Sequence, residues 1–111
     1  MKLSTKSIAS LLTAVKQSVE QTRSASQANL AHLERLLRRH DRKGELRASV
    51  LNLDAATYKK EQRRLSTEAL ARKYGFEDLL QFLQALYARL RHELHCRGWS
   101  VTRLRRLEQP S

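Results

Sequence analysis

The chain has 111 residues and carries 22 Lys and Arg against 11 Asp and Glu, a formal net charge of +11 at pH 7. A hydrophobic share of 41% removes the compositional grounds for disorder, and 3 glycines with 1 proline favour helices over sheets, so the expectation is one small domain with a buried core. A single cysteine excludes an internal disulfide framework, and with no run of 18 apolar residues no transmembrane helix is expected.

The opening "MKLSTKSIASLLTAV" sets lysines before a short apolar stretch, as a secretory leader does. Lys16, Glu20 and Arg23 interrupt it before any small-residue cleavage site, so a leader is not expected and a cytoplasmic, reducing location is. Ile8, Leu12, Val15 and Val19 form one stripe of an amphipathic helix. The stripe passes through the polar Thr22 and Ser26 to Leu30, Leu33 and Leu37. With neither Gly nor Pro at "TRSASQ", residues 5–40 read as one long helix; the alternative is two helices, the second capped by Ser24 or Ser26. A stripe this long wants a partner, so residues 1–44 read as an oligomerisation arm of a homodimer and 45–111 as a helical core with basic flanks.

Gly44 reads as the stop of the first helix, with Arg38, Arg39, His40, Arg42 and Lys43 gathered where the helix dipole favours cations. Residues 46–53 read either as helix, through Leu46, Val50 and Leu53, or as a short strand. Asp54 is placed to cap a helix through "AATYKKEQRRL", and Ser66 or Thr67 a short one ending at Gly75. Glu77 and Asp78 open the strongest helix, striped by Leu79, Leu83, Leu86, Leu90 and Leu94 and closed by Gly98. A last helix, "SVTRLRRLE", aligns Val101, Leu104 and Leu107. The expected class is all-α, a small bundle of four or five helices with a long N-terminal helix.

Several stretches have to be weighed for chemistry. "STEALARKYGFEDLL", Ser66 to Leu80, resembles the first half of a helix-turn-helix through Leu70, Ala71, Tyr74, Gly75 and Phe76. In the usual frame the second helix would bury Gln81 and Gln84 and expose Phe82 and Leu83, which is the wrong way round. Only a turn lengthened by two residues restores sense, exposing Gln81, Ala85 and Arg89. A strand-helix-helix order over 46–65 would fit a ribbon-helix-helix, but the strand lacks clean alternation. "HELHC" sets His92 and Cys96 on one helical face, yet it is not HExxH and no CxxC pair exists, so no metal and no cofactor are expected. Cys96 has no recognisable catalytic partner and no Gly-rich loop is present, so no enzyme is expected. Trp99 is a base-stacking candidate, but it reads more readily as a packing residue of the last helix.

Charge carries the remaining signal. From Arg35 to Arg64 there are ten basic and four acidic residues, from Leu65 to Leu94 four of each, and from Arg97 to Arg106 four basic and none acidic. A neutral apolar scaffold with basic flanks points to a non-catalytic nucleic-acid-binding protein, of DNA or RNA, acting in transcription, replication or DNA transfer. The expected phosphate contacts are Arg38, Arg39, Arg42, Lys43 and Arg47, then Lys59, Lys60, Arg63 and Arg64, then Arg103, Arg105 and Arg106. The rival reading is a helical interaction module (adaptor, inhibitor or chaperone) that turns its basic faces to an acidic protein, with no membrane partner in either case.

Overall fold

The computed structural model describes residues 3–21 and 27–108, and within them seven helices and no strand. The first, α1 (Thr5–Gln21), is capped by Ser4, whose Oγ accepts the Ser7 N–H at 3.1 Å. It buries Ile8, Leu11, Leu12 and Val15 on one face. The second, α2 (Gln27–His40), buries Leu33 and Leu37. The long α6 (Leu79–Cys96) turns Leu83, Leu86, Leu90 and Leu94 into the same core, and α7 (Val101–Glu108) closes it with Leu104.

In this main layer α1 packs against α2, α6 and α7. It runs antiparallel to both long neighbours. His40, at the end of α2, holds its Nδ1 2.9 Å from Ser7 Oγ near the start of α1. Arg97, just past the end of α6, donates from Nη1 to Thr5 Oγ1 at 3.2 Å. The single helix expected over residues 5–40 is therefore corrected to two helices packed on each other. The candidate caps Ser24 and Ser26 lie outside the described residues. The α1 part of the stripe from which a homodimer was expected is covered within the chain, mainly by α6.

A second, smaller core joins α3 (Glu45–Val50), α4 (Ala55–Gln62) and α5 (Thr67–Lys73) to the beginning of α6. Ala48, Leu51, Tyr58, Leu70, Ala71 and Phe82 are buried in it, and Phe76 meets Phe82 edge-on with ring centroids 5.7 Å apart. The caps fall where the side chains predict them. Asp54 Oδ1 accepts the Thr57 N–H at 2.7 Å, and Ser66 Oγ accepts the Ala69 N–H at 3.1 Å. Asp78 Oδ1 accepts the Gln81 N–H at 2.8 Å while Gln81 Oε1 accepts the Glu77 N–H at 2.7 Å, a reciprocal arrangement of the capping-box type.

The two cores meet at α3: Leu46 belongs to the main core, Ala48 and Leu51 to the smaller one, and Val50 touches both. The strand considered for 46–53 does not form. Asn52 takes a left-handed backbone (φ 63) after the helix, and Leu53 N–H returns to Ala48 O at 2.8 Å, closing it in the manner of a Schellman turn. The start of α3 is fixed by Asp41. Its Oδ1 accepts the Leu46 N–H and its Oδ2 accepts both the Arg47 N–H and Arg47 Nε, each at 3.1 Å. Arg47 Nη2 donates to the Asp41 carbonyl at 2.7 Å, and both residues are buried. Gly44 is thus not the stop of α2, which ends at His40, but the residue before α3; it holds φ +72, and a Cβ there would lie 2.9 Å from Tyr58 Cδ1.

Removing Asp41 strands the Arg47 guanidinium and opens two helix N–H groups. Asp41→Ala should cost about 3–5 kcal/mol in urea unfolding. Adding Arg47→Met to Asp41→Ala should recover at least about 1 kcal/mol of that loss, because the stranded charge is gone. A loss below about 1 kcal/mol for Asp41→Ala would show that the pair does not hold α3.

Candidate nucleic-acid interface

The basic residues expected from the sequence divide into three groups. Arg38 and Arg39 lie in the last turn of α2, and Arg42 and Lys43 in the turn to α3. All four are exposed. Lys59 and Lys60 close α4, with Arg63 and Arg64 just after it, and these too are exposed. Arg103, Arg105 and Arg106 are exposed on α7, which packs on α1 and so stands apart from the α4 and α5 layer. Arg103 lays its guanidinium 3.9 Å from the centre of the Trp99 ring, and Trp99 packs against the main core.

Arg47 departs from the expected surface role. It is 6% exposed, holds Asp41 on one side and lies 5.3 Å over the Tyr58 ring. A side chain so enclosed cannot lie along a nucleic-acid backbone with the surface cations, and it leaves the set of general phosphate contacts.

Folding brings one exposed cation from each of the first two groups, Arg38 and Arg63, to a shared cavity, while Arg39, Arg42, Lys43 and Lys59 stay on the surface outside it. A cavity of about 390 Å³ lies between α2 on one side and α4, α5 and their connection on the other. Arg38 borders it from α2 and Arg63 from the end of α4, over Leu37, Tyr58 and Leu70. On the far side of Arg63 a broader groove of about 620 Å³ is lined by Lys60, Arg63, Arg64 and Lys73, with Glu61 the acidic residue in its wall. Arg63 therefore serves both concavities. Lys60, Arg63 and Arg64 form no ion pair among the described residues.

The acidic neighbours are occupied. Glu34 accepts from Thr67 Oγ1 at 2.7 Å and lies 3.6 Å from Arg38 Nη2, bridging α2 to α5. Glu61 accepts from Lys73 Nζ at 2.6 Å and from Tyr74 Oη at 2.8 Å, tying α4 to α5. The bond from Lys73, then that from Tyr74, holds the Glu61 carboxyl below its ordinary range. The same bonds to Glu61 raise Lys73 and Tyr74 above theirs. Lys73 was not expected as a site residue because its segment is neutral by count; only folding sets it beside α4.

The helix-turn-helix half-match resolves in the longer frame. Residues 74–78 separate α5 from α6, Phe82, Leu83 and Leu86 are buried, and Gln81 and Arg89 are exposed with Ala85 half-buried. Glu77 and Asp78, expected in the first turn of α6, instead precede it, Asp78 as its cap, and Gln81 is engaged in that cap, so this end carries little that suits a phosphate backbone. The ribbon-helix-helix alternative falls with its strand. In "HELHC", Cys96 Sγ lies 3.4 Å from His92 Nε2, both exposed, and among the described residues no three His, Cys, Asp or Glu side chains gather as a metal-ligand set. No helix among the described residues is long and apolar enough to cross a membrane.

No protein-family model, curated protein or solved structure matches the chain.

Because the Glu61 carboxyl is depressed in the folded chain, its contribution to stability is complete above the ordinary carboxylate range and is lost as pH falls through its folded value. Glu61→Gln should melt below the native chain at pH 7, and the gap should close as the pH is taken down toward about 3. A gap independent of pH would show that the bonds to Lys73 and Tyr74 do not depend on the carboxylate charge.

Proposed function

We propose that the protein is a non-catalytic nucleic-acid-binding protein that holds phosphates through Arg38, Arg39, Arg42, Lys43, Lys59, Lys60, Arg63 and Arg64, with Lys73 joining from α5. The observation that carries this reading is the meeting of Arg38 and Arg63, far apart in sequence, on one cavity, and of Arg63 with Lys60, Arg64 and Lys73 on the groove beside it. Arginine supplies most of the set, and its planar fork suits phosphate oxygens. Arg103, Arg105 and Arg106 on α7 form a separate patch, suited to steering the polyanion electrostatically. The reading requires no second copy of the chain. It goes with a cytoplasmic location, where the exposed thiol of Cys96 stays reduced.

Binding of this kind is electrostatic and weakly selective for sequence. Anisotropy titrations against duplex DNA, single-stranded DNA and structured RNA should each show affinity falling with salt. The pair Arg63→Ala with Arg64→Ala should reduce the slope of log affinity against log salt on duplex DNA by about 1.8, and should weaken all sequences alike. A folded protein that binds none of the three at low salt would overturn the reading and leave the acidic-protein partner as the better one.

A further inference from the structure

The cavity beside α2 has a feature that a general backbone contact does not need: an arginine at its inner wall, already oriented. Asp41 takes Nε and the inner edge of the Arg47 guanidinium, and Tyr58 lies beneath it. What remains is Nη1, whose contact is a long 3.5 Å approach to Gln62 Oε1, itself on the cavity wall. A guanidinium pinned on one edge and weakly engaged on the other is prepared to receive an anion from the cavity side, since little rotamer freedom is left to lose. The exposed Arg38 and Arg63 border the same cavity, and Ser66 and Thr67 line it as well.

We propose that this cavity is a binding site for a phosphate monoester, with Arg47 contacting it from within and Arg38 and Arg63 from the rim. A volume of about 390 Å³ is at the lower end of the range of small-molecule pockets. Arg47 is reached only from the depth of the cavity, and an internal phosphodiester would need the chain to leave on both sides. A terminal phosphate has one attachment, carries close to two negative charges near pH 7 and offers three free oxygens. Three guanidinium groups line the space: Arg63 has no ion pair among the described residues, Arg38 lies 3.6 Å from Glu34, and Arg47 is held by Asp41 through Nε with Nη1 left on the cavity side. This inference rests on the proposed function for the source of the phosphate: the phosphorylated end of a nucleic acid strand, with a free mononucleotide as the other carrier of the same chemistry.

The test compares single-stranded oligonucleotides of one sequence ending in phosphate, at the 5′ or the 3′ end, with the hydroxyl-ended strand. The native chain should bind one phosphorylated form at least about tenfold more tightly. Gln62→Glu sets a carboxylate against Arg47 Nη1 and should bind all forms alike, whereas Arg64→Ala, outside the cavity, should weaken every form yet keep the preference. Calorimetry of the native chain with thymidine monophosphate and with thymidine needs no variant, and should give heat for the first alone. If hydroxyl-ended strands bind while terminal phosphate changes affinity less than about twofold and the monophosphate gives no heat, the inference is overturned and the proposed function stands. If the monophosphate binds, is lost in Gln62→Glu, and no oligonucleotide binds, the site stands and the nucleic-acid reading falls.

Discussion

The buried pair of Asp41 and Arg47 is the constraint on which the arrangement of this chain depends. Two apolar cores, one around α1, α2 and α6 and one around α3, α4 and α5, have to be held in a fixed relation. The element between them is α3, six residues long, too short to be stable by itself. Asp41 supplies what it lacks: an acceptor for two of its first N–H groups and a counter-charge for Arg47. A buried ion pair is a poor source of net stability compared with apolar packing, because desolvating both charges cancels most of the attraction. Its value here is directional. Only one orientation of α3 satisfies all four bonds between the two residues and the helix start, and that orientation sends Leu46 to one core and Leu51 to the other.

The pair also shapes the surface above it. Arg47 is removed from the pool of solvated cations, and the end of α4 is drawn over it through Tyr58 and Gln62. Gly44 allows this approach, since any side chain there would meet the Tyr58 ring. The consequence is that Arg63, which follows α4, comes to face Arg38 of α2 across the cavity. Like charges converge at a cost in repulsion. Glu34, 3.6 Å from Arg38, offsets part of that repulsion while it ties α5 to α2 through Thr67, and Glu61 ties α4 to α5.

Much of the fold was legible from residues alone. The cap at Asp54, the cap at Ser66 (one of two candidates) and the leucine stripe of α6 follow from local chemistry and are found there, whereas Asp78, expected inside the first turn of α6, is instead its cap. The errors share one cause: the deciding interaction was distant or hidden. Residues 5–40 carry no Gly or Pro to announce a reversal, and only the apolar faces of α1 and α2 meeting each other reveal it. Arg47 has the same letter as its exposed neighbours; what removes it from the surface is Asp41, six positions earlier and separated by a left-handed glycine. Lys73 was passed over for the converse reason, because charge counted along the chain does not show that α5 folds back against α4.

The half-match to a helix-turn-helix shows how a familiar order of elements can serve another end. Leu70, Ala71 and the turn at Gly75 meet the steric demands of two helices crossing closely, and those demands are the same whether or not the second helix reads bases. Here α6 is the longest helix described and supplies the main core with four leucines, so its apolar side is committed to α1. Glu77 and Asp78 stand just before its first turn, Asp78 capping the Gln81 N–H and Gln81 the Glu77 N–H. A helix whose N-terminus is neutralised by its own carboxylates loses the dipole contribution that would draw a phosphate. The exposed cations sit instead at and just past the C-terminal ends of α2 and α4, where the dipole favours positive charge. The same rule that stabilises each helix therefore keeps acidic groups just before α6 and sets Arg38 and Arg63, at and past the ends of α2 and α4, on the cavity, so the basic lining follows from how the helices end.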